Sequence, residues 1–113
     1  MKIDRSEDGS VTIVVLQGVI KLGESARQFS SYLQDLLDEG VQSVLVDLSG
    51  IDHVDSTGLG ELVGYLQRFT EQGRRLALLS PPRRVFNLLK LTRLDEVFPI
   101  YQDRAQAVAA MSS

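Results

Sequence analysis

The period of the apolar positions changes along this chain, and each change marks an element. Val44-Leu45-Val46-Asp47-Leu48 is a short, β-branched apolar run of the kind that makes a buried strand. A polar loop follows, Asp52-His53-Val54-Asp55-Ser56-Thr57-Gly58. Leu59, Leu62, Val63, Leu66 and Phe69 then recur at i, i+3, i+4, i+7 and i+10, a stripe that only a helix gathers on one face. That helix is predicted over about Thr57 to Gln72, closed by Gly73. A buried strand thus delivers a hydroxyl-rich loop to a helix start, where unpaired backbone N–H groups and the positive end of the helix dipole lie.

The other elements are arranged around this unit. Val11 to Gln17 reads as a strand after the turn signal Asp8-Gly9, with Met1 to Glu7 as the first arm of a hairpin. Gly18 to Gly23 is a loop or a short extended piece. A helix starts near Glu24 or Ser25, buries Ala26, Phe29, Leu33, Leu36 and Leu37, and stops at Gly40. Arg75 to Ser80 is a further buried strand. Pro82 then opens a helix carrying Val85, Phe86, Leu88 and Leu89 and ending near Thr92. Val97 to Tyr101 contains Pro99, which suits an edge strand. A last helix, Asp103 to Met111, is expected to face Ala105, Val108, Ala109 and Met111 inward. The order is β-β-α-β-α-β-α-β-α. Residues 1–113 form one α/β domain, with a mostly parallel or mixed sheet of four to five strands and about four helices.

Composition removes several function classes. A chain of 113 residues is one domain and buries roughly two-thirds of its unfolded surface. There is no cysteine, hence no disulfide framework or thiolate metal site, and the lone His53 excludes a multi-histidine zinc site. A formal charge of −3 argues against a nucleic-acid partner. No apolar run reaches membrane-spanning length, and the polar start MKIDRSEDGS is unlike a signal peptide. A soluble, cytoplasmic, bacterial-type protein without metal or cofactor is expected.

The loop residues have a plain reading and a functional one. Asp55, Ser56 and Thr57 are all favourable helix caps. Three in a row exceed what one helix start needs, and Gly58 and Gly60 in the first turn cost up to about 1 kcal/mol each against alanine. Together they describe an exposed hydroxyl beside a helix N-terminus, a place suited to carrying or meeting a phosphate. His53, Asp55 and Ser56 include the residue types of a hydrolase triad. Their spacing along one extended segment cannot align them as base and orienter, and no glycines flank the serine as in a nucleophile elbow. Asp47, Asp52 and Asp55 could supply carboxylates to a metal-dependent phosphoryl acceptor, but Asp47 falls in the strand and no lysine stands in a complementary place. The chain is not read as an enzyme.

The stretch VDLSGIDHVDSTGLGELVGYL resembles the signature of STAS domains, in particular of bacterial anti-sigma factor antagonists. Asp55, Ser56, Thr57, Gly58, Leu59 and Gly60 meet its Asp-Ser-(Ser/Thr)-Gly-(Leu/Ile)-Gly pattern. The likeness extends to Leu16-Gln17-Gly18, to the turn Gly73-Arg74-Arg75-Leu76, and to the helix from Arg84 to Thr92. The resemblance implies that Ser56 is the serine phosphorylated by a partner anti-sigma factor kinase and that a phosphatase reverses this. The unphosphorylated form would bind the anti-sigma factor and release the sigma factor. Asp55, Ser56, Thr57, Gly58, Gly60 and Glu61 would contribute the partner surface of a protein that is monomeric when free. Glu61 also has a simpler reading, an exposed residue pairing with Tyr65 or Arg68. One departure stands out. Many antagonists carry Gly-Glu-(Leu/Ile)-Asp after the first long strand, whereas this chain has Gly18-Val19-Ile20-Lys21, a base in place of an acid. The alternative is a STAS subunit without a phosphorylation cycle, docked on a lipid-transport ATPase assembly.

Overall fold

The computed structural model describes residues 1–112. Five strands line up in sequence order: β1 (Lys2–Asp8), β2 (Val11–Ile20), β3 (Ser43–Val54), β4 (Arg75–Leu79) and β5 (Ile100–Tyr101). β1 is antiparallel to β2 through a hairpin turned at Gly9, and the remaining pairs are parallel. The helices are α1 (Glu24–Glu39), α2 (Ser56–Glu71), α3 (Arg83–Leu91) and α4 (Arg104–Met111), with a 3₁₀ turn at Leu94–Glu96.

Strand order decides where the helices go. Each crossover from β2 to β5 steps the same way across the sheet, and right-handed connections then place their helices on one face. Phe29, Leu33 and Leu36 of α1, Leu62 and Phe69 of α2, and Val85 and Leu89 of α3 accordingly share one core with Val14, Leu16, Val46, Leu48 and Leu78. On the other face α4 alone caps a smaller cluster of Val11, Ile13, Leu45, Ala77 and Leu79. The strands are apolar on both faces because both are covered at their centre.

Four expectations need correction or narrowing. Of the two readings of the piece after Gly18, the extended one holds as far as Ile20: β2 continues to that residue and pairs with β3, which itself runs on to Val54. Asp52, His53 and Val54, expected in the polar loop, therefore belong to a strand, and the turn contracts to Asp55. The long polar stretch hid this because an outer strand segment needs an apolar residue only at every second position or fewer. Here Ile51 and Val54 are buried, while Asp52 and His53 are exposed. Third, the strand expected from Val97 is confined to Ile100–Tyr101 by the 3₁₀ turn before it. Fourth, α4 buries Met111 as expected and half-buries Val108, but its other buried residue is Ala107, while Ala105 and Ala109 are exposed. Four alanines in a short helix leave its phase undetermined by periodicity. The remaining strands and helices lie where the pattern placed them, with Gly40 ending α1 in the left-handed conformation, φ 84°.

Candidate functional site

The carboxyl ends of β2, β3 and β4 and the starts of α1, α2 and α3 share one end of the molecule. Strand order never reverses, so the sheet lacks the switch point at which α/β folds open a ligand crevice. What this end presents is a set of adjoining turns.

Asp55 organises them. Its backbone is extended, with φ −92° and ψ −177°, and its Oδ1 accepts from Gly58 N–H at 2.9 Å, capping α2. Its Oδ2 accepts from Leu22 N–H at 2.9 Å, in the turn between β2 and α1. Its own N–H donates to Ile20 C=O at 3.1 Å. One residue thereby caps a helix and fastens the neighbouring turn to it. Hydrogen bonds from the Gly58 and then the Leu22 N–H hold the carboxyl below its ordinary range, with a smaller contribution from His53.

That depression carries a sign. Below the ordinary carboxylate range the unfolded chain takes up a proton that folded Asp55 still refuses. Stability contributed by Asp55 is therefore complete above that range and is lost as pH falls through the depressed value. Asp55→Asn keeps one acceptor but neither the charge nor the second carboxylate oxygen. Urea midpoints of wild type and Asp55→Asn are expected to differ at neutral pH and to converge towards acid. A gap that stays constant with pH would contradict this account.

Ser56 is the first residue of α2 and is exposed, and among the described residues its hydroxyl has no partner. Asp55 does the capping, which leaves the serine Oγ free at the positive end of a helix of 16 residues. Thr57 is half-buried and turns towards a shallow groove between α1 and α2, which Leu22, Ala26, Ser30, Glu61 and Tyr65 also line. Gly58 is buried against the end of β2, where a Cβ would lie 2.7 Å from Ile20 O and 2.9 Å from both Ile20 Cγ2 and Val54 Cγ1.

The comparison with known proteins agrees with this architecture. The STAS domain family matches residues 2–107. This chain belongs to the STAS domain family. A relative from Thermotoga neapolitana, named as a homologue of a candidate anti-sigma factor antagonist, is 34% identical over 86 residues, 75% of this chain and 76% of its own length. The anti-sigma-B factor antagonist of Staphylococcus epidermidis is 29% identical over 73 residues, 65% of this chain and 68% of that one. The crystal structure of a candidate anti-sigma factor antagonist from Thermotoga maritima superposes with a TM-score of 0.92 at 27% identity, covering 98% of this chain and 95% of the other.

Within this STAS domain the two glycines of the motif have different reasons. Gly58 is required by packing. Gly60 is exposed, and a Cβ there would meet nothing within 4 Å. Alanine at Gly60 is expected to stabilise the isolated domain by roughly 0.5–1 kcal/mol through helix propensity. If the bare backbone at Gly60 meets a partner, the same variant binds that partner more weakly; thermal melts and a binding isotherm read the two effects separately.

Glu61 is half-buried at the groove and forms neither expected pair. Tyr65 is turned inward, its hydroxyl donating to Gln34 Oε1 at 3.2 Å, and the Arg68 guanidinium lies 4.5 Å over its ring. Asp47 does not join Asp52 and Asp55: its Oδ1 accepts from Ser49 N–H at 2.9 Å. Among the described residues no group of three or more carboxylates or histidines converges. Lys21 is exposed in the turn that Asp55 holds; its N–H donates to Ser25 Oγ, and among the described residues its ammonium forms no ion pair. The residue that the pattern passed over is Leu22, which is 76% exposed beside this site. Its only signal was an apolar side chain between Lys21 and Gly23.

Proposed function

We propose that this STAS domain is an anti-sigma factor antagonist that works by partner switching. With Ser56 unmodified, the end carrying Asp55, Ser56, Thr57, Gly58, Gly60 and Glu61 docks on an anti-sigma factor kinase and so frees a sigma factor. The kinase phosphorylates Ser56 from ATP, binding is lost, and a phosphatase restores it. The domain itself catalyses nothing. The observation that carries the reading is the exposed Ser56 hydroxyl at the start of α2, relieved of capping by Asp55. The names of the relatives support the antagonist class. No helix among the described residues is long and apolar enough to cross a membrane, which accords with a partner in solution.

Mass spectrometry of the protein purified from its native cells, beside a Ser56→Ala control, tests the switch. A phosphate on Ser56 that is absent from the control is the expected result. Its absence under all growth conditions would favour a constitutive subunit of a transport ATPase, with Lys21 the first residue to examine.

A further inference from the structure

The charge of this acidic chain is distributed unevenly. Four of its 12 basic residues, and none of its 15 acidic ones, fall between Arg83 and Arg93. α3 buries Val85 and Leu89. Residues three, four and seven apart share a helix face. The opposite side of α3 therefore carries Arg83, Arg84, Asn87, Lys90 and Leu91, all exposed.

Among the described residues no ion pair engages any of these cations; the pairs that exist involve Lys2, Arg5 and Arg104. Asp52 lines the same hollow as Arg84 without pairing with it. Asp95 and Glu96 open the next turn and form no ion pair with these cations. Lys90 lies 5.8 Å from the centre of the Phe86 ring, so its charge stays at the surface. Leu91 is 83% exposed, more than any other large apolar side chain of the core-forming helices. Arg93 follows in the left-handed conformation, φ 60°, where glycine would be less strained.

Solubility alone is served by mixed charge, as on α1, where Glu24, Asp35 and Asp38 accompany Arg27. A face of one sign surrounding an exposed leucine has the make-up of a recognition surface. We infer that the outer face of α3 docks an acidic segment of a partner protein, whose carboxylates meet Arg83, Arg84 and Lys90 and whose apolar side chain covers Leu91. An anionic membrane is the weaker fit. An interfacial helix needs a broad free apolar face, and here Val85 and Leu89 are committed to the core, leaving Leu91 alone. The inference does not depend on the reading of Ser56.

The test titrates the ¹⁵N-labelled full chain with a synthetic glutamate-rich peptide bearing spaced leucines. A lysine-rich counterpart and phosphatidylglycerol vesicles serve as separate arms. Amide shifts confined to residues 83–93, and affinity that falls with added salt, are expected. Arg84→Glu combined with Lys90→Glu should weaken binding about tenfold or more. Arg84→Gln with Lys90→Gln repeats the test with milder changes should the reversal disturb folding. Ser56→Asp should leave this titration unchanged, which separates its failure from failure of the switch. Shifts centred on Arg27 or Arg74, affinity unaltered by both double variants, or α3 binding to vesicles but not to the peptide would each overturn the inference.

Discussion

Replacing Gly58 by alanine is expected to destabilise the domain by about 2–3 kcal/mol, among the larger effects of adding one methyl group. The added Cβ would stand within 3.0 Å of three atoms, and the closest, at 2.7 Å, is the Ile20 carbonyl oxygen. A flexible side chain could move aside, but this oxygen accepts from Asp55 N–H and belongs to the last paired residue of β2. The Val54 methyl is equally constrained as the last residue of β3. Relief therefore requires α2 to lift from the sheet end, lengthening the Asp55 hydrogen bonds to Gly58 and Ile20 together. Urea denaturation reads the stability change. Amide exchange should show faster opening of Leu22, whose N–H is held by Asp55 Oδ2. A Gly58→Ala protein as stable as Gly60→Ala would show that the packing at Gly58 is looser than these distances state.

The second large effect concerns binding. Ser56→Asp is expected to leave folding within about 0.5 kcal/mol of wild type while weakening the anti-sigma factor complex by roughly a hundredfold or more. Within the domain the new carboxylate sits at the first residue of α2, where the helix dipole favours negative charge and no packed neighbour is displaced. A partner surface complementary to a neutral hydroxyl meets instead a charge it must desolvate without a counter-ion, at a cost of several kcal/mol. Phosphate, at about −1.5 to −2 charges, should act more strongly than aspartate. Calorimetric titration of wild type, Ser56→Ala and Ser56→Asp against the partner recovered by pull-down separates the outcomes. Equal affinity for wild type and Ser56→Asp would end the switch proposal, even if Ser56 carries phosphate in cells.

Beside both positions lies a link between distant parts of the chain. Asp55 and Leu22 are 33 positions apart and meet through one hydrogen bond. The carboxylate that shapes the surroundings of Ser56 therefore also sets the position of the turn bearing Lys21 and the exposed Leu22. Charge added at Ser56 would be sensed at both sides of the groove between α1 and α2, without any change of fold.

Much of this was legible in the sequence. The change of period around Val44 to Phe69, the helix stop at Gly40 and the succession of strands and helices are local properties, expressed within a few residues by propensity and periodicity. They determined an α/β domain with a predominantly parallel sheet and placed Asp55, Ser56 and Thr57 at a helix start. Other features were decided only by tertiary structure. The pairing of Gly18–Ile20 with Ile51–Val54 turned an apparent loop into strand, because backbone hydrogen bonding to a distant segment can order residues whose side chains remain polar and exposed. Val97 and Phe98 are held out of the strand by hydrogen bonds back to the 3₁₀ turn before them, and α4 took its phase from the small apolar patch left on the far face of the sheet. The different reasons for Gly58 and Gly60 were likewise invisible locally. Both occupy the first turn of one helix, and only the arrival of Ile20 and Val54 beside the first makes its missing side chain a packing requirement.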